Sequence, residues 1–241
     1  MSGVTYQGGT PAVMKQSIFE ESATQRHKIG ERIALNDRVF RYALNGAANL
    51  TVGKLVTGVT SPQVNKSVLA AAIGDFKVTV VTSAANANFA EGYLLTHDGT
   101  GEGYNYKIVS SSANAATATS TDVVLYDPIQ VALVASATSE VTLLYNPWWG
   151  TVVQATMALP VVGVNPIAVT AAYYYWCQTW GPCAVMTEGT PAVSMRLTGD
   201  GTTFGAVTDD AAASFDQIYG YNMTAVGVDG EYTLADLRIS P

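Results

Sequence analysis

The side chains able to do acid, base, nucleophilic or metal chemistry are few in this sequence and far apart. His27 and His97 are the only residues whose unperturbed pKa lies near neutrality. His27 stands between Arg26 and Lys28, where positive charge on both sides disfavours the proton uptake that a general base needs. His97 precedes Asp98 in HDGTGEG with no GxSxG or HExxH context, and a solvated turn residue is the simpler reading. Asp98, Glu102 and the glycines between them resemble a calcium loop, but the Asp/Asn ladder and terminal bidentate glutamate are missing. Asp209 and Asp210 are neighbours that point apart in an extended chain, whereas glycosidase carboxylates face each other across a substrate. Cys177 and Cys183 lack the closer pairing and additional ligands of a zinc site. A disulfide between them is open if Gly181-Pro182 folds the chain back, but buried free thiols are favoured, cysteine being a small hydrophobe. No catalytic residue, metal site or cofactor is expected.

The least ordinary stretch is AVTAAYYYWCQTWGPCAVMTEG, residues 168–189, with three consecutive tyrosines, two of the four tryptophans and both cysteines. It predicts a long buried strand, broken once at Gly181-Pro182 and turned back at the Glu188-Gly189 exit. Trp148, Trp149, Tyr173, Tyr175, Trp176 and Trp180 are either a sugar-stacking platform or the filling of a core or subunit seam. The chain is 48% hydrophobic and only 13% charged, against about 25% charged in an average globular domain. So little charge favours the core or seam, with much of the surface covered by neighbouring subunits.

A net charge of −7 argues against nucleic acid as a partner. Residues 1–54 hold seven of the twelve basic side chains and four of the nineteen acids, a net +3, leaving −10 for the rest. A mildly basic head on an acidic body predicts different partners for the two ends. No window has the 18 or so uninterrupted apolar residues of a membrane span, and no membrane partner is expected. MSGVTYQGGTPAV lacks the charged and apolar regions of a secretory signal, so maturation in a reducing cytoplasm is expected. The N-x-S/T matches at Asn49, Asn65 and Asn222 carry meaning only in a chain secreted by a eukaryote.

Positioning elements follow from the pattern. Residues 1–35 predict an extended arm in which MSGVTYQGGTPAV is ordered only by what it touches, with Ser17 and Glu20 spaced as a capping box and helix or irregular structure equally open over MKQSIFEESATQRHKIGERIAL. RVFRYAL and LTVGKLVTG predict a hairpin around NGAAN. Phe76, Val78 and Val80 alternate with Lys77 and Thr79, predicting a strand with those three on one face. Glycines 99, 101 and 103 predict a turn with positive φ between Tyr93–Leu95 and Tyr104–Val109. VVLYDP and TLLYNP, nineteen residues apart, predict two similarly ended strands of one sheet. SSANAATATST and MRLTGDGTTFGAVTDDAAASFD read as exposed loops, and IYGYNMTAVGVDGEYTLADLRISP as a closing hairpin around Asp229-Gly230. The class is all-β.

RVFRYALNGAANLTVGKLVTG, VVGVNPIAVTAAYYYWCQTWGPCAVM and YGYNMTAVGVDGEYTLADLRI together resemble the capsid decoration, or capsid cement, proteins of tailed bacteriophages. The resemblance implies an arm over residues 1–35, a β-barrel or sandwich body from 36–62 and 148–241, and an inserted β subdomain over 63–147. It implies a non-catalytic virion protein that bridges major capsid protein subunits on the capsid surface, often as a homotrimer, assembled in the bacterial cytoplasm. On this reading the arm, with Lys15, Arg26, Lys28, Arg32, Arg38 and Arg41, contacts the capsid protein or another copy, and can be removed without unfolding the body. A tail or fibre component binding glycans through exposed aromatics is the alternative, and a depolymerase using His97 or Asp98 the third reading.

Overall fold

A computed structural model describes residues 15–59, 62–82, 88–113, 119–155, 159–199, 202–209, 217–225 and 228–241. Every regular element among them is a β-strand, so the all-β class holds. The chain forms two compact units, one from residues 1–59 with 147–241 and one from 60–146.

The first unit, the body, opens with β1 (Arg32–Leu35) and β2 (Arg38–Leu44), joined by a tight turn in which Asn36 takes φ +55°. Asparagine tolerates this left-handed geometry better than most residues. The hairpin expected around NGAAN does not form. β2 has β1 on one side and a later strand as its other partner, while β3 (Leu55–Thr57) pairs elsewhere. The side-chain amide of Asn45 instead ties the intervening loop down, donating to Ala48 O at 2.8 Å and Thr170 O at 2.9 Å. The chain leaves the body after Val59 and re-enters at Pro147, and the two ends adjoin. A Cβ on Gly58 would lie 2.2 Å from Pro147 O, so only glycine fits there.

The inserted unit is a closed six-stranded barrel of β4 (Gln63–Val68), β5 (Lys77–Val81), β6 (Tyr93–Gly99), β7 (Asn105–Ala113), β8 (Ser120–Leu125) and β9 (Ser136–Leu144). They run β4-β5-β8-β7-β6-β9, every pair antiparallel. Closure removes the unpaired edges that an open sheet this size would present. Its core includes Val78, Val80, Leu94, Ile108, Val123, Leu125, Val141 and Leu143, and buried Phe89, stacked on Tyr145 at 4.6 Å. The alternation read in β5 holds for Val78 and Val80 but not for Phe76, which precedes the strand and is 51% exposed. Glycines 99, 101 and 103 do take positive φ, and a Cβ on Gly99 would meet Thr138 O at 1.9 Å. The echoed motifs close β8 at Leu125 and β9 at Leu144, each one residue before the tyrosine. The small-residue stretch is less of a loop than its composition suggests, since β7 extends to Ala113 and β8 starts at Ser120.

The body resumes with β10 (Val152–Val153), β11 (Val161–Val164), β12 (Tyr174–Met186), β13 (Arg196–Gly199), β14 (Val207–Asp209), β15 (Gly220–Asn222) and β16 (Tyr232–Arg238). With β1 to β3 these make a ten-stranded sheet around β12, which pairs with β2, β11 and β16. Gly181-Pro182 does not break the strand. β12 runs unbroken for 13 residues, with Gly181 and Pro182 in regular register against Leu237 and Asp236 of β16, and its irregularity comes just before them, where the register against β2 shifts between Gln178 and Trp180. Gly181 takes φ +80° and passes so close to Asp37 O that a Cβ would lie 2.2 Å away. The chain turns at the expected Glu188-Gly189 exit, where Gly189 takes φ +72°. The Gly- and Asp-rich stretch expected to be one exposed loop contains β13 and β14, paired to each other, because Leu197 and Val207 are core residues. The closing hairpin pairs β15 with β16. The sheet curls until Leu55 N–H donates to Gly205 O at 2.8 Å, enclosing Leu55, Val164, Cys183, Val185, Leu197 and Leu237.

Candidate functional site

The cationic side chains lie on a segment held by the chain's own core. Among residues 15–31 the capping-box contact forms, Ser17 N–H donating to Glu20 Oε2 at 3.3 Å, but only a turn follows. Ile18, Ile29 and Ile33 are buried with Phe40, Tyr42 and Trp176. Gln16 works as a rivet. Its carbonyl accepts from Trp176 Nε1 at 3.0 Å, its Oε1 accepts from Tyr42 Oη at 2.7 Å, and its amide donates to Tyr174 O at 2.9 Å. Glu21 adds a carboxylate that accepts from the Thr170 amide and hydroxyl at 2.6 and 2.9 Å. The expectation that residues to 35 form an extended arm therefore gives way for 15–35. Residues 1–14 lie outside the described residues.

From this anchored segment Lys15, Arg26, Lys28 and Arg32 extend into solvent. Arg38 and Arg41 are half-buried and turned to aromatic faces, Arg38 over Phe40 at 5.6 Å and Arg41 over Trp148 at 5.1 Å. Arg41 also donates to Gly30 O at 3.3 Å. The six cations thus divide into four exposed side chains, of which Arg26 donates from Nε to Ser22 Oγ at 3.4 Å, and two half-buried ones.

His27 is buried against Tyr42 and Trp176, ring centroids 5.2 and 4.9 Å away. Its Nε2 accepts from the Lys15 amide at 3.2 Å, which assigns the proton to Nδ1, facing Glu31 Oε1 at 3.0 Å. Both nitrogens are thereby committed to holding the segment. His97 lies half-buried on the barrel, its Nδ1 3.2 Å from Thr142 Oγ1. Asp98 and Glu102 are exposed, as is Asp209; Asp210 lies outside the described residues. Among the described residues no group of three or more His, Cys, Asp or Glu is placed to hold a metal.

Cys177 and Cys183 are free and buried, as favoured from their hydrophobic character. Burial pushes the Cys177 thiol far up and the Cys183 thiol up to about 12, against the lowering effect of Arg38 on the latter. Protonated thiols of this kind are packing groups rather than nucleophiles.

The singled-out aromatics form no platform. Tyr175 and Trp176 are fully buried, and Trp148, Trp149, Tyr173 and Trp180 are half-buried. Trp148 Nε1 donates to Val162 O at 3.0 Å, Tyr175 Oη lies 2.8 Å from Thr151 Oγ1, and Trp180 carries Arg238 on its ring at 4.7 Å. All six pack inside or against the body. The exposed aromatic and aliphatic side chains are others, including Phe19, Ile73, Phe76, Tyr221, Tyr232 and Leu234. The signal for the last three was present in the closing hairpin, where apolar residues stand at both alternating sets of positions, more than one buried face can use.

No protein-family model matches the chain, and neither a curated protein sequence nor a solved structure matches it.

Proposed function

We propose that the protein is a non-catalytic structural component of a tailed-phage virion, binding the outer surface of the assembled capsid and bridging major capsid protein subunits. The observation that carries this reading is the exposed cationic segment Lys15, Arg26, Lys28 and Arg32, anchored on a chain of net charge −7. Four exposed cations on an ordered segment of an otherwise acidic protein, against Glu20, Glu21 and Glu31 on the same segment, fit an acidic protein partner, which they would steer and hold in register. The sparse charge and the exposed apolar side chains fit a protein that works within an assembly. A cement protein needs no reactive group. It stabilises a shell by binding the assembled state, so its binding free energy adds to the shell's own through linkage and repeated sites.

The test is binding of purified protein to heads that lack it, followed by sedimentation. Wild-type protein is expected to co-sediment with heads rather than tails. Reversing all four exposed cations to glutamate is expected to weaken occupancy at least tenfold, with the melting temperature unchanged within about 2 °C, since surface substitutions cost little. Wild-type protein that ignores heads sinks the proposal, and full occupancy by the charge-reversed variant removes the cationic segment from it.

A further inference from the structure

An imidazole can donate from one nitrogen and accept at the other only while it is neutral. His27 does both. Its Nδ1–H donates to Glu31 Oε1 at 3.0 Å, and its Nε2 accepts from the Lys15 main-chain N–H at 3.2 Å. The residue is 8% exposed and packs on Tyr42 of β2 and Trp176 of β12. One contact reaches four residues forward and the other twelve back, so the ring closes a loop of the N-terminal segment.

The two contacts respond to a proton in opposite ways. Imidazole is the side-chain group that ordinarily changes charge between about pH 5 and 8. With Nδ1 already carrying a proton, the second enters at Nε2. The Glu31 contact survives and becomes charge-assisted on both sides. The Lys15 contact does not, because its acceptor has become a donor and two N–H groups face each other. The neighbouring groups leave this choice to His27. Tyr42, from β2, is pushed up to about 12 by burial, and its hydroxyl binds Gln16 Oε1 and the Arg26 amide rather than the ring. Tyr174, from β12, stacks on Tyr42. Glu20 and Arg26, of opposite sign, act on Tyr42 from the segment itself, and the Arg26 and Lys28 side chains extend into solvent.

Gln16 limits what can be released. Its carbonyl, side-chain oxygen and amide are held by Trp176, Tyr42 and Tyr174, none of them through His27.

We propose that His27 is a proton-operated latch on the start of the N-terminal segment. Neutral, it holds the Lys15 main chain; protonated at Nε2, it lets Lys15 go while Glu31 keeps the ring and Gln16 stays riveted. The pH thereby sets whether the first of the four exposed cations is fixed or loose. The latch belongs to the isolated chain and stands whether or not the segment meets a capsid.

NMR and amide hydrogen exchange of the isotope-labelled full chain, between about pH 8 and 5.5, test it. Protection of the Lys15 amide, corrected for the intrinsic pH dependence of exchange, is expected to fall about fivefold, as loss of one hydrogen bond does. The fall is expected to share the midpoint of the His27 ring titration. The Trp176 indole N–H, bonded to Gln16 O, is expected to keep its protection throughout. His27→Gln supplies an acceptor that does not titrate and is expected to abolish the change at Lys15. Glu31→Gln keeps an acceptor for Nδ1–H but removes the charge that favours the imidazolium, and is expected to move the midpoint to lower pH. A Lys15 amide unchanged over this range, or one that loses protection at the wild-type midpoint in either variant, overturns the proposal. Equal loss at Trp176 overturns it as well, since the whole segment would then be leaving. Head binding is not read in these measurements, so the capsid proposal stands or falls separately.

Discussion

The two thiols act through where their protons sit. Cys177 and Cys183 have folded pKa values raised by burial, above the roughly 8.5 of an exposed thiol. Below that value both states are protonated and pH has no effect through them. Above it the unfolded chain releases protons that the folded chain keeps, so stability falls as pH rises toward the folded values. The urea midpoint is expected to decline from about pH 9 upward, at about 1.4 kcal/mol per pH unit for each thiol. Replacing both with alanine is expected to flatten that slope, even though the replacement itself costs stability. A midpoint independent of pH between 9 and 10.5 would contradict the assignment. Tyr42, pushed up to about 12 by burial, adds to the decline only above pH 10. The same two residues show how far sequence reasoning reaches at this scale. Their freedom and burial follow from cysteine's apolar character, but the close approach of Gly163, whose added Cβ would lie 2.4 Å from Cys177 Sγ, follows from strand neighbours distant in sequence.

Among the elements, local signals were legible and partners were not. RVFRYAL is β2, VVGV is β11, and the glycine turn of the barrel takes the positive φ its composition asks for. These depend on side-chain alternation and on the conformational freedom of glycine, both readable within ten residues. The hairpin expected between β2 and β3 failed because a strand's partner is set by long-range packing. β13 and β14 were hidden because Gly and Asp dominate their surroundings, although Leu197 and Val207 carry them into the core. The N-terminal segment was misjudged for a related reason. Its isoleucines at 18, 29 and 33 make no helical stripe, but an irregular chain lying on a sheet needs none. Truncation through Leu35 is accordingly expected to unfold the body rather than release a tail. Losing three buried isoleucines, at roughly 2–5 kcal/mol each, removes most of the 5–15 kcal/mol that holds a typical domain. Circular dichroism melting of the truncated chain checks this, and a melt like that of the full chain would restore the arm.

For the whole molecule, the position of the tryptophans makes the two units separately observable. All four, at 148, 149, 176 and 180, belong to the body and none to residues 60–146. Tryptophan fluorescence therefore follows the body alone, while circular dichroism follows both units. With the barrel excised and Val59 joined to Pro147 through a short Gly-Ser bridge, the fluorescence midpoint in urea is expected to stay within about 0.3 M of the full chain, the scatter that extrapolation allows. A large fall would mean that the body depends on the barrel. The contact between Gly58 and Pro147 is what makes that excision reasonable. Because the exit and re-entry points touch, a bridge of a few residues can take the place of the chain between them. Closure entropy grows only logarithmically with that length. The position is thus expected to accept modules of other sizes in place of residues 60–146, with the fluorescence midpoint of each exchanged chain as the check.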